Sequence, residues 1–353
     1  MNSESIQASI QSILTSTPPA FSASEAQVIA ADHFRIHAQA HLLVSERDQN
    51  FRLDANNGER FTIKFSNSAE QAEVIEFQNR ALARVAAKDP SFPLPHVIST
   101  VDDRLHCTVE HAGKTHFVRV LSWLDGNILN HATTDPGLAW RIGNMLARLG
   151  LAFEGFDHPG SNPPLLWDMK RASELNSLLE YIHDPQLKPL IEQTLNRFEL
   201  RVMPLLSSLR TQVIHSDMNP GNILMDPLQA GRIAGLIDFG DMVKSPLIFD
   251  LAIASAYQID AGPDPLQGAL PLIAGYHALR PIEEIEFGLL IDLIKTRLAT
   301  SLLIGNYRVR LFPENSEYLL ISYDSAKNSL LNLNRQNADD ALLRIRATCA
   351  SSQ

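Results

Sequence analysis

The segment VIHSDMNPGNIL, which runs from Val213 to Leu224, is the most informative stretch of the chain. Its two apolar ends, VI and NIL, are separated by polar residues and by Pro220 and Gly221. Proline lacks a backbone N–H and glycine relaxes the backbone, so the middle of the segment is expected to be a loop between two short strands. Asp217 and Asn222 therefore lie on one loop, five residues apart.

The spacing of Asp217 and Asn222 is that of a kinase catalytic loop. In such a loop the Asp accepts the proton of the acceptor hydroxyl, and the Asn amide oxygen binds Mg²⁺. A further carboxylate, Asp238, ends the apolar run AGLID and precedes Phe239-Gly240. Mg²⁺ prefers oxygen ligands and takes one or two from a protein, which Asn222 and Asp238 would supply. Each residue alone is more often a cap or a turn residue, but the combination is not expected by chance.

Composition and charge exclude several classes of protein. The chain has 353 residues, of which 45% are hydrophobic, enough for a sizeable core divided over two domains. Its formal net charge of -10 does not favour nucleic acids, which need clustered Lys and Arg. The two cysteines lie far apart, and no apolar run is long enough to cross a bilayer. We therefore expect a cytoplasmic protein with neither nucleic-acid nor membrane partners.

The N-terminal third of the chain carries the strand patterns. Apolar and polar residues alternate on both sides of Asn56-Asn57-Gly58, which predicts a β-hairpin. A helical pattern follows, with Ser68 as its expected N-cap and Pro90 closing it. Two further strands are expected within residues 105–127. The predicted order is three strands, one helix and two more strands.

From about Thr134 onward the apolar spacing is helical, except between Gln212 and Asp241. The predicted fold class is therefore α+β and two-lobed. Residues 31–122 are expected to form a small antiparallel β-sheet lobe with one helix, and residues 123–353 a larger, mostly helical lobe. Residues 1–30 are expected to be an N-terminal helical extension.

A cation for the phosphates is expected in the strand-rich part. Lys64 lies in FTIKFS with apolar residues on alternate positions. Such a lysine is ordinarily a solvated edge charge. The helix that follows carries Glu73 and Glu76 on adjacent turns, and either can form the lysine–glutamate pair that orients the lysine. We favour Glu76, in VIEFQN, and leave Glu73 as the alternative.

The segment VRVLSWLDG, residues 118–126, is an apolar strand that runs into Asp125-Gly126. It lies between the two predicted lobes, which is where a kinase binds adenine. Backbone groups from Ser122 to Leu124 are therefore expected to bond the adenine edge. An ordinary buried strand followed by a turn is the alternative.

The motifs together resemble the aminoglycoside phosphotransferase and choline kinase superfamily, whose members have a protein-kinase-like fold. VIHSDMNPGNIL and IDFGDMVKSPLIFDLAIASAY carry the resemblance, and SERDQNF, FTIKFS, VIEFQN and LLWDMK are similar to its hydroxylysine kinase-like branch. The resemblance covers residues 31–257. It implies that Asp217 is the catalytic base, that Asn222 and Asp238 are Mg²⁺ ligands, and that Lys64 and Glu76 form the phosphate-binding pair. It also implies that His215 and Asp250 brace the catalytic loop.

Two features differ from protein kinases. There is no GxGxxG motif, and SERDQNF stands in its place, so backbone N–H groups and the amides of Gln49 and Asn50 are expected to hold the phosphates. Ser216 occupies the position where protein kinases have Arg, and GDMVKSP leaves almost no room for an activation loop. A small-molecule kinase is therefore favoured over a protein kinase.

Several residues are candidates for binding the acceptor. Asp241 and Asp168 would meet an ammonium group, and Trp167 and Tyr257 would stack on or cap it. Arg297 would clamp a carboxylate if the acceptor resembles an amino acid. The structural alternatives are a helix-surface charge for Arg297 and a packing role for Trp167.

The leading function is an ATP- and Mg²⁺-dependent phosphotransferase that acts on a hydroxyl of a small amine or amino-acid-like molecule, of the hydroxylysine, choline or homoserine type. An aminoglycoside phosphotransferase that confers resistance is the second reading, and a catalytically silent nucleotide-binding module is the third. The intact Lys64, Asp217, Asn222 and Asp238 count against the silent module. The sequence does not fix the acceptor, the choice between ATP and GTP, or whether the protein is a homodimer.

Overall fold

A computed structural model describes residues 18–45, 47–129, 135, 137–260, 262–313 and 316–351. Most of the helical extension predicted for residues 1–30 lies outside these ranges. The chain forms two compact units. The first comprises the residues up to Asn127, Phe156–Leu165 and Leu224–Gly240, and the second comprises Ile128–Gly155, Leu166–Ile223 and Asp241–Gln353. Within the described residues, no helix is both long and apolar enough to span a membrane.

The first unit is built on an antiparallel sheet, as predicted. Its strands are β1 (Ala38–Leu43), β2 (Gln49–Ala55), β3 (Arg60–Phe65), β4 (Val97–Ile98), β5 (Cys107–His111) and β6 (Lys114–Ser122). The strand order is β1-β2-β3-β6-β4, and β5 also pairs with β6. Gly58, with φ of 88°, turns the predicted hairpin between β2 and β3. Because β6 pairs with β3, residues far apart in sequence share one face of the sheet.

Helix α1 (Ala23–Phe34) belongs to the same core as this sheet. Ser22 and Glu25 form a capping box at its start. Its apolar face, with Ala26 and Phe34, packs in one cluster with strand residues that include Phe51 and Phe65. The described part of the predicted extension is therefore an integral layer of the first unit.

Helix α2 (Ala72–Lys88) begins later than predicted. Gln71 is its N-cap and makes no side-chain cap bond. The predicted cap, Ser68, lies instead in a turn that Asn67 closes, since its carbonyl accepts from the N–H of Glu70 at 3.0 Å. This local turn competes with the first helical turn and delays the helix. A three-stranded sheet of β7 (Asn127–Ile128), β9 (Ile223–Met225) and β10 (Ile233–Leu236) has the order β10-β9-β7.

The second unit is mostly helical, as predicted. Its helices are α3 (Leu138–Ala152), α4 (Leu187–Arg201), α5 (Leu247–Ala256), α6 (Ala269–Leu279), α7 (Glu284–Leu311), α8 (Ser316–Leu319), α9 (Tyr323–Arg335) and α10 (Ala338–Ala350). A Cβ atom at Gly143 on α3 would lie 1.9 Å from the carbonyl oxygen of Leu272 on α6. The two helices therefore pack at a distance that only glycine permits.

One short hairpin-like ladder interrupts these helices. Strand β8 (Thr211–Ile214) pairs antiparallel with β11 (Val243–Pro246), with Ile214 opposite Val243. The chain leaves β8 at the same end where it enters β11. This pairing brings the loop after Ile214 next to the residues just before Val243.

Candidate active site

The loop after β8 holds Asp217 through two asparagine side chains. Asn222 Nδ2 donates to the backbone oxygen of Asp217 at 2.9 Å and to Asp217 Oδ2 at 2.8 Å. Asn219 Nδ2 donates to the same Oδ2 at 2.9 Å. Both partners of the Asn222 amide are acceptors, so its nitrogen must face them and its oxygen must face away. The loop therefore holds the Asp217 carboxylate in one orientation. The Oδ1 atom of Asn222 points away from Asp217, where it can act as an acceptor or a metal ligand.

Asp250 on α5 binds the backbone at the start of this loop. Asp250 accepts hydrogen bonds from the backbone N–H groups of His215, at 3.1 Å, and Ser216, at 2.8 Å. His215 Nδ1 accepts from the backbone N–H of Asp217 at 3.2 Å. Ser216 has φ of 66°, a left-handed conformation that a non-glycine residue adopts only when its surroundings impose it. These contacts lie where the predicted brace, His215 and Asp250, would act.

Burial raises the pKa of Asp250 to about 6, and the two backbone donors oppose this shift. A carboxyl group with a raised folded-state pKa stabilises the protein fully below its unfolded pKa and loses that contribution as the pH rises through the folded value. As the pH rises from the ordinary pKa of an aspartate, 3.8, to above 6, we expect the free energy of unfolding of the wild type to fall by about 3 kcal/mol relative to Asp250→Asn. Denaturant unfolding of both proteins across pH measures this difference, and parallel pH profiles would contradict it.

Arg297, on α7, completes the surroundings of Asp217. Its side chain is only 3% exposed, and its Nη2 lies 3.3 Å from Asp217 Oδ1 and 3.0 Å from the Tyr257 hydroxyl. The guanidinium carbon stacks 4.8 Å above the Trp167 ring centroid. Three of the five candidate acceptor residues, Arg297, Tyr257 and Trp167, therefore cluster beside Asp217. Burial raises the pKa of the Tyr257 hydroxyl, and the negative charges of Asp217 and Asp241 add to this rise.

The Arg297 guanidinium is not fully used by the protein. Its Nε and Nη1 atoms are buried and have no hydrogen-bond partner among the described residues. These two nitrogens carry three of the five N–H donors of the group. A buried donor without an acceptor costs about 1–3 kcal/mol. The helix-surface alternative for Arg297 is wrong, because the side chain is buried and its Nη2 atom donates to Asp217 and Tyr257.

Asp168 differs from the other candidates. Its Oδ1 accepts from the backbone N–H of Lys170 at 3.1 Å, and its Oδ2 lies 3.4 Å from Lys170 Nζ. It is the N-cap of the 3₁₀ segment Met169–Tyr181. Burial raises the pKa of Asp168, and the lysine opposes this shift. The chain itself thus supplies the ammonium group that was predicted to come from a substrate.

In the first unit, Lys64 lies directly opposite Asn50 on β2 and Arg119 on β6. Directly opposed residues of antiparallel strands point to the same face, so these three side chains share one face of the sheet. Asn50 Oδ1 is buried and has no hydrogen-bond partner among the described residues. Gln49 instead ties down the chain before α1, since its amide bonds both the N–H and the carbonyl of Phe21. Of the two predicted amides, Asn50 is the one on the lysine face.

The predicted Lys64–Glu76 pair is not among the contacts of the described residues. Glu76 Oε1 instead accepts from Arg80 Nε at 2.9 Å on the same helix, and its side chain is 45% exposed. Glu73 is exposed as well. The buried polar residues of α2 are Gln78 and Asn79, about 200° and 300° further around the helix than Glu76. The predicted Lys64–Glu76 pair is absent because Glu76 lies on the exposed side of α2, which the residue type alone did not reveal.

In the predicted adenine segment, Ser122 and Trp123 donate backbone hydrogen bonds within the chain. The N–H of Ser122 donates to the carbonyl of His96 at 2.8 Å, and its Oγ accepts from the N–H of His96. In the described part of the chain, no backbone hydrogen bond is formed by Leu124. Backbone groups at Leu124 are therefore more accessible to a ligand than the N–H of Ser122.

Asp238 follows β10 with φ of 60°, in the left-handed region. Its Oδ1 accepts from the N–H of Gly240 at 3.3 Å. The carboxylate oxygens of Asp238 and the amide oxygen of Asn222 are both hard ligand atoms. The amide nitrogen of Asn222 already donates to Asp217. The donor chemistry of Asn222 and Asp238 therefore fits Mg²⁺, which takes few protein ligands and completes its shell from phosphates and water.

Sequence reasoning missed Arg119, Gln78 and Asn219. Arg119 Nη2 donates to Gln78 Oε1 at 2.5 Å, and Arg119 is 4% exposed. The signal for Arg119 was present in VRV, where an arginine stands between two valines of an apolar strand. For Asn219 the signal was its position between the two residues of the catalytic-loop spacing.

The chain is similar in sequence to known phosphotransferases and small-molecule kinases. Residues 42–282 match the model of the phosphotransferase enzyme family. Hydroxylysine kinase of Mus musculus is 28% identical over 331 residues, covering 87% of this chain and 88% of that protein. Homoserine kinase of Gluconobacter oxydans is 30% identical over 159 residues, covering 43% of this chain and 48% of that protein.

Solved structures show the same fold. Amicoumacin kinase aligns with a TM-score of 0.68 at 12% identity, covering 96% of this chain and all of that one, and a microcompartment-associated aminopropanol kinase aligns with a TM-score of 0.56 at 18% identity, covering 94% and 96%. The family match spans more than half of the chain and includes the loop that carries Asp217. The protein accordingly belongs to the phosphotransferase enzyme family and is a small-molecule kinase with a protein-kinase-like fold.

Proposed function

We propose that the protein transfers the γ-phosphoryl group of ATP, bound with Mg²⁺, to a hydroxyl group of a small amino-acid-like molecule. The hydroxylysine kinase and homoserine kinase relatives support the acceptor class. Amicoumacin kinase has been solved with AMP-PNP and Ca²⁺, and spectinomycin phosphotransferase with ADP, which supports a nucleotide donor. The observation that carries the proposal is the Asp217 carboxylate, which two asparagines and Arg297 hold in one orientation.

In this proposal Asp217 orients the acceptor hydroxyl and takes its proton as the oxygen bonds to phosphorus. Asn222 Oδ1 and the Asp238 carboxylate would hold the metal ion, and Lys64 would bind phosphate oxygens. When bound, the metal offsets the charge of the phosphates. Asn50 and Leu124 are proposed to contact the nucleotide, since the one shares the lysine face and the other has unengaged backbone groups.

Arg297 is proposed to bind a carboxylate of the acceptor. Its unused N–H donors are buried beside Asp217, where an anionic group of the acceptor would satisfy them. The rings of Trp167 and Tyr257 line the guanidinium and restrict its orientation. Asp241 is proposed to meet the acceptor's ammonium group. A hydroxy-amino acid carries both charges, whereas choline carries only a cation.

A screen of hydroxyl-bearing compounds tests this function. Substrate-dependent ADP release should be measured with hydroxy-amino acids, amino alcohols, choline and aminoglycosides, at equal concentrations. We expect turnover of a hydroxy-amino acid at a kcat/KM at least about a hundredfold above that of the other classes, because a site built for a charged group rejects molecules that lack it. Preferred turnover of an aminoglycoside would establish the second function, and nucleotide binding without any turnover would establish the silent module. A cytoplasmic location and a homodimeric assembly stay predictions from the sequence.

A further inference from the structure

A hydrogen-bonded chain inside the first unit runs from strand β6 to Asp238. Arg119 Nη2 donates to Gln78 Oε1 at 2.5 Å, and Gln78 Nε2 donates to the carbonyl oxygen of Gly240 at 3.1 Å. The N–H of Gly240 in turn donates to Asp238 Oδ1 at 3.3 Å. The peptide units on both sides of Gly240 are thus hydrogen-bonded. A continuous series of hydrogen bonds therefore connects Gln78 on α2 with the Asp238 carboxylate.

The charge at the head of this chain is buried. Arg119 is 4% exposed, and the side chains that accept its hydrogen bonds, Gln78 and Asn79, are neutral amides on α2. The carboxylates whose charges act on it include Asp48 and Asp238. A buried cation is costly unless it is bonded and faces opposite charge. Arg119 is thus bonded to α2, and the negative charge of Asp238 acts on it.

Asp238 needs such support because of its backbone conformation. At φ of 60° it lies in the left-handed region, which costs a non-glycine residue on the order of 1 kcal/mol. Gly240 has no side chain, and a Cβ there would lie 3.1 Å from Asp238 Oδ1. The carboxylate therefore rests directly on the Gly240 peptide. Gln78 holds the other side of Gly240, because its Nε2 donates to the carbonyl oxygen of the next peptide unit.

We propose that Arg119 and Gln78 are positioning residues that set the Asp238 carboxylate for binding the metal–nucleotide complex. The inference rests on the proposed function, in which Asp238 is a metal ligand. It also replaces the predicted lysine–glutamate pair: in this chain α2 is coupled to the nucleotide site through a glutamine, an arginine and the Gly240 peptide.

The variant Gln78→Glu separates positioning from packing. A glutamate keeps an oxygen that accepts from Arg119, and this bond becomes an ion pair, so the fold should be at least as stable as the wild type. A glutamate has no N–H donor for the Gly240 carbonyl, and its second oxygen repels that carbonyl. We expect an unchanged or higher Tm, together with an about tenfold rise in the Mg²⁺ concentration that gives half-maximal binding of a non-hydrolysable ATP analogue.

Isothermal titration calorimetry of Mg²⁺ into protein with a fixed amount of the analogue gives this concentration, independently of turnover. Gln71→Glu is the matched control, since it makes the same chemical change at the exposed N-cap of α2. Arg119→Lys keeps the charge but cannot form the same fork, and we expect it to raise the Mg²⁺ requirement as well.

The outcomes distinguish the inference from the function it rests on. Wild-type Mg²⁺ dependence in Gln78→Glu, with Asp238→Ala losing that dependence, overturns the positioning role alone. Full Mg²⁺ dependence in Asp238→Ala overturns the metal role of Asp238 and the positioning role with it. A raised Mg²⁺ requirement in Gln78→Glu at an intact Tm, absent from Gln71→Glu, supports the proposal.

Discussion

Asp217→Asn is expected to lower kcat by about a thousandfold with the best acceptor. The asparagine has nearly the same shape but cannot take the acceptor's proton, and a positioned general base contributes about 10²–10⁴-fold. It also removes the negative charge that faces Arg297 at 3.3 Å. The nucleotide should still bind with an affinity within a few fold of the wild type, because the proposed nucleotide contacts lie at Lys64, Asn50 and Leu124.

Steady-state kinetics and calorimetric titration of the nucleotide measure the two quantities separately. Asp264→Asn is a suitable control, since Asp264 forms an exposed pair with Arg344 on the same unit and the chemical change is identical. Turnover of Asp217→Asn at the wild-type rate would show that another group accepts the proton.

Arg297→Met is expected to change the choice of acceptor. Losing a buried, charge-assisted carboxylate contact typically costs about 2–5 kcal/mol, which corresponds to roughly a hundredfold or more in kcat/KM. The same substitution also removes the cation beside Asp217, which should lower kcat/KM by the same factor for every acceptor. The diagnostic quantity is therefore the ratio of kcat/KM for a hydroxy-amino acid to that for its decarboxylated amino alcohol, which we expect to fall by about a hundredfold.

Two further variants on α7 sharpen this test. Arg297→Lys keeps a positive charge but not the planar fork, so the ratio should fall part of the way. Arg310→Met removes an exposed arginine from the last turn of the same helix and should leave the ratio unchanged. An equal loss for both acceptors in Arg297→Met would mean that Arg297 serves Asp217 alone and does not touch a carboxylate.

The parts of the fold that were predictable from the sequence are those with local signals. Asn56-Asn57-Gly58 specifies its hairpin within a few residues, and the loop from His215 to Asn222 is marked by its own proline and glycine. The residue that lies opposite Lys64 on β6, Arg119, was not predictable in this way. Its position depends on β6 pairing with β3, across more than fifty residues of chain, and its hydrogen bonds depend on which side of α2 faces that pair.

Residue type misled the interpretation of α2 and of α7. A glutamate is the expected partner for a lysine, yet Glu76 lies on the outer side of α2 and pairs with Arg80. An arginine within a helix is usually exposed, yet Arg297 lies on a helix that other elements of the second unit surround. In both cases tertiary packing decided the outcome, and it left the polar residues Gln78 and Arg297 buried.

The asparagine contacts around Asp217 have a consequence for turnover. Asn219 and Asn222 each donate one hydrogen bond to the Asp217 carboxylate, and Asn222 donates another to the Asp217 backbone oxygen, all within one short loop. The conformational entropy lost in orienting the carboxylate is thus lost on folding and is not subtracted again from each binding event. Under the proposed function, an acceptor that reaches this loop would meet a preorganised base, and its own binding energy would remain available for aligning its hydroxyl with the phosphate.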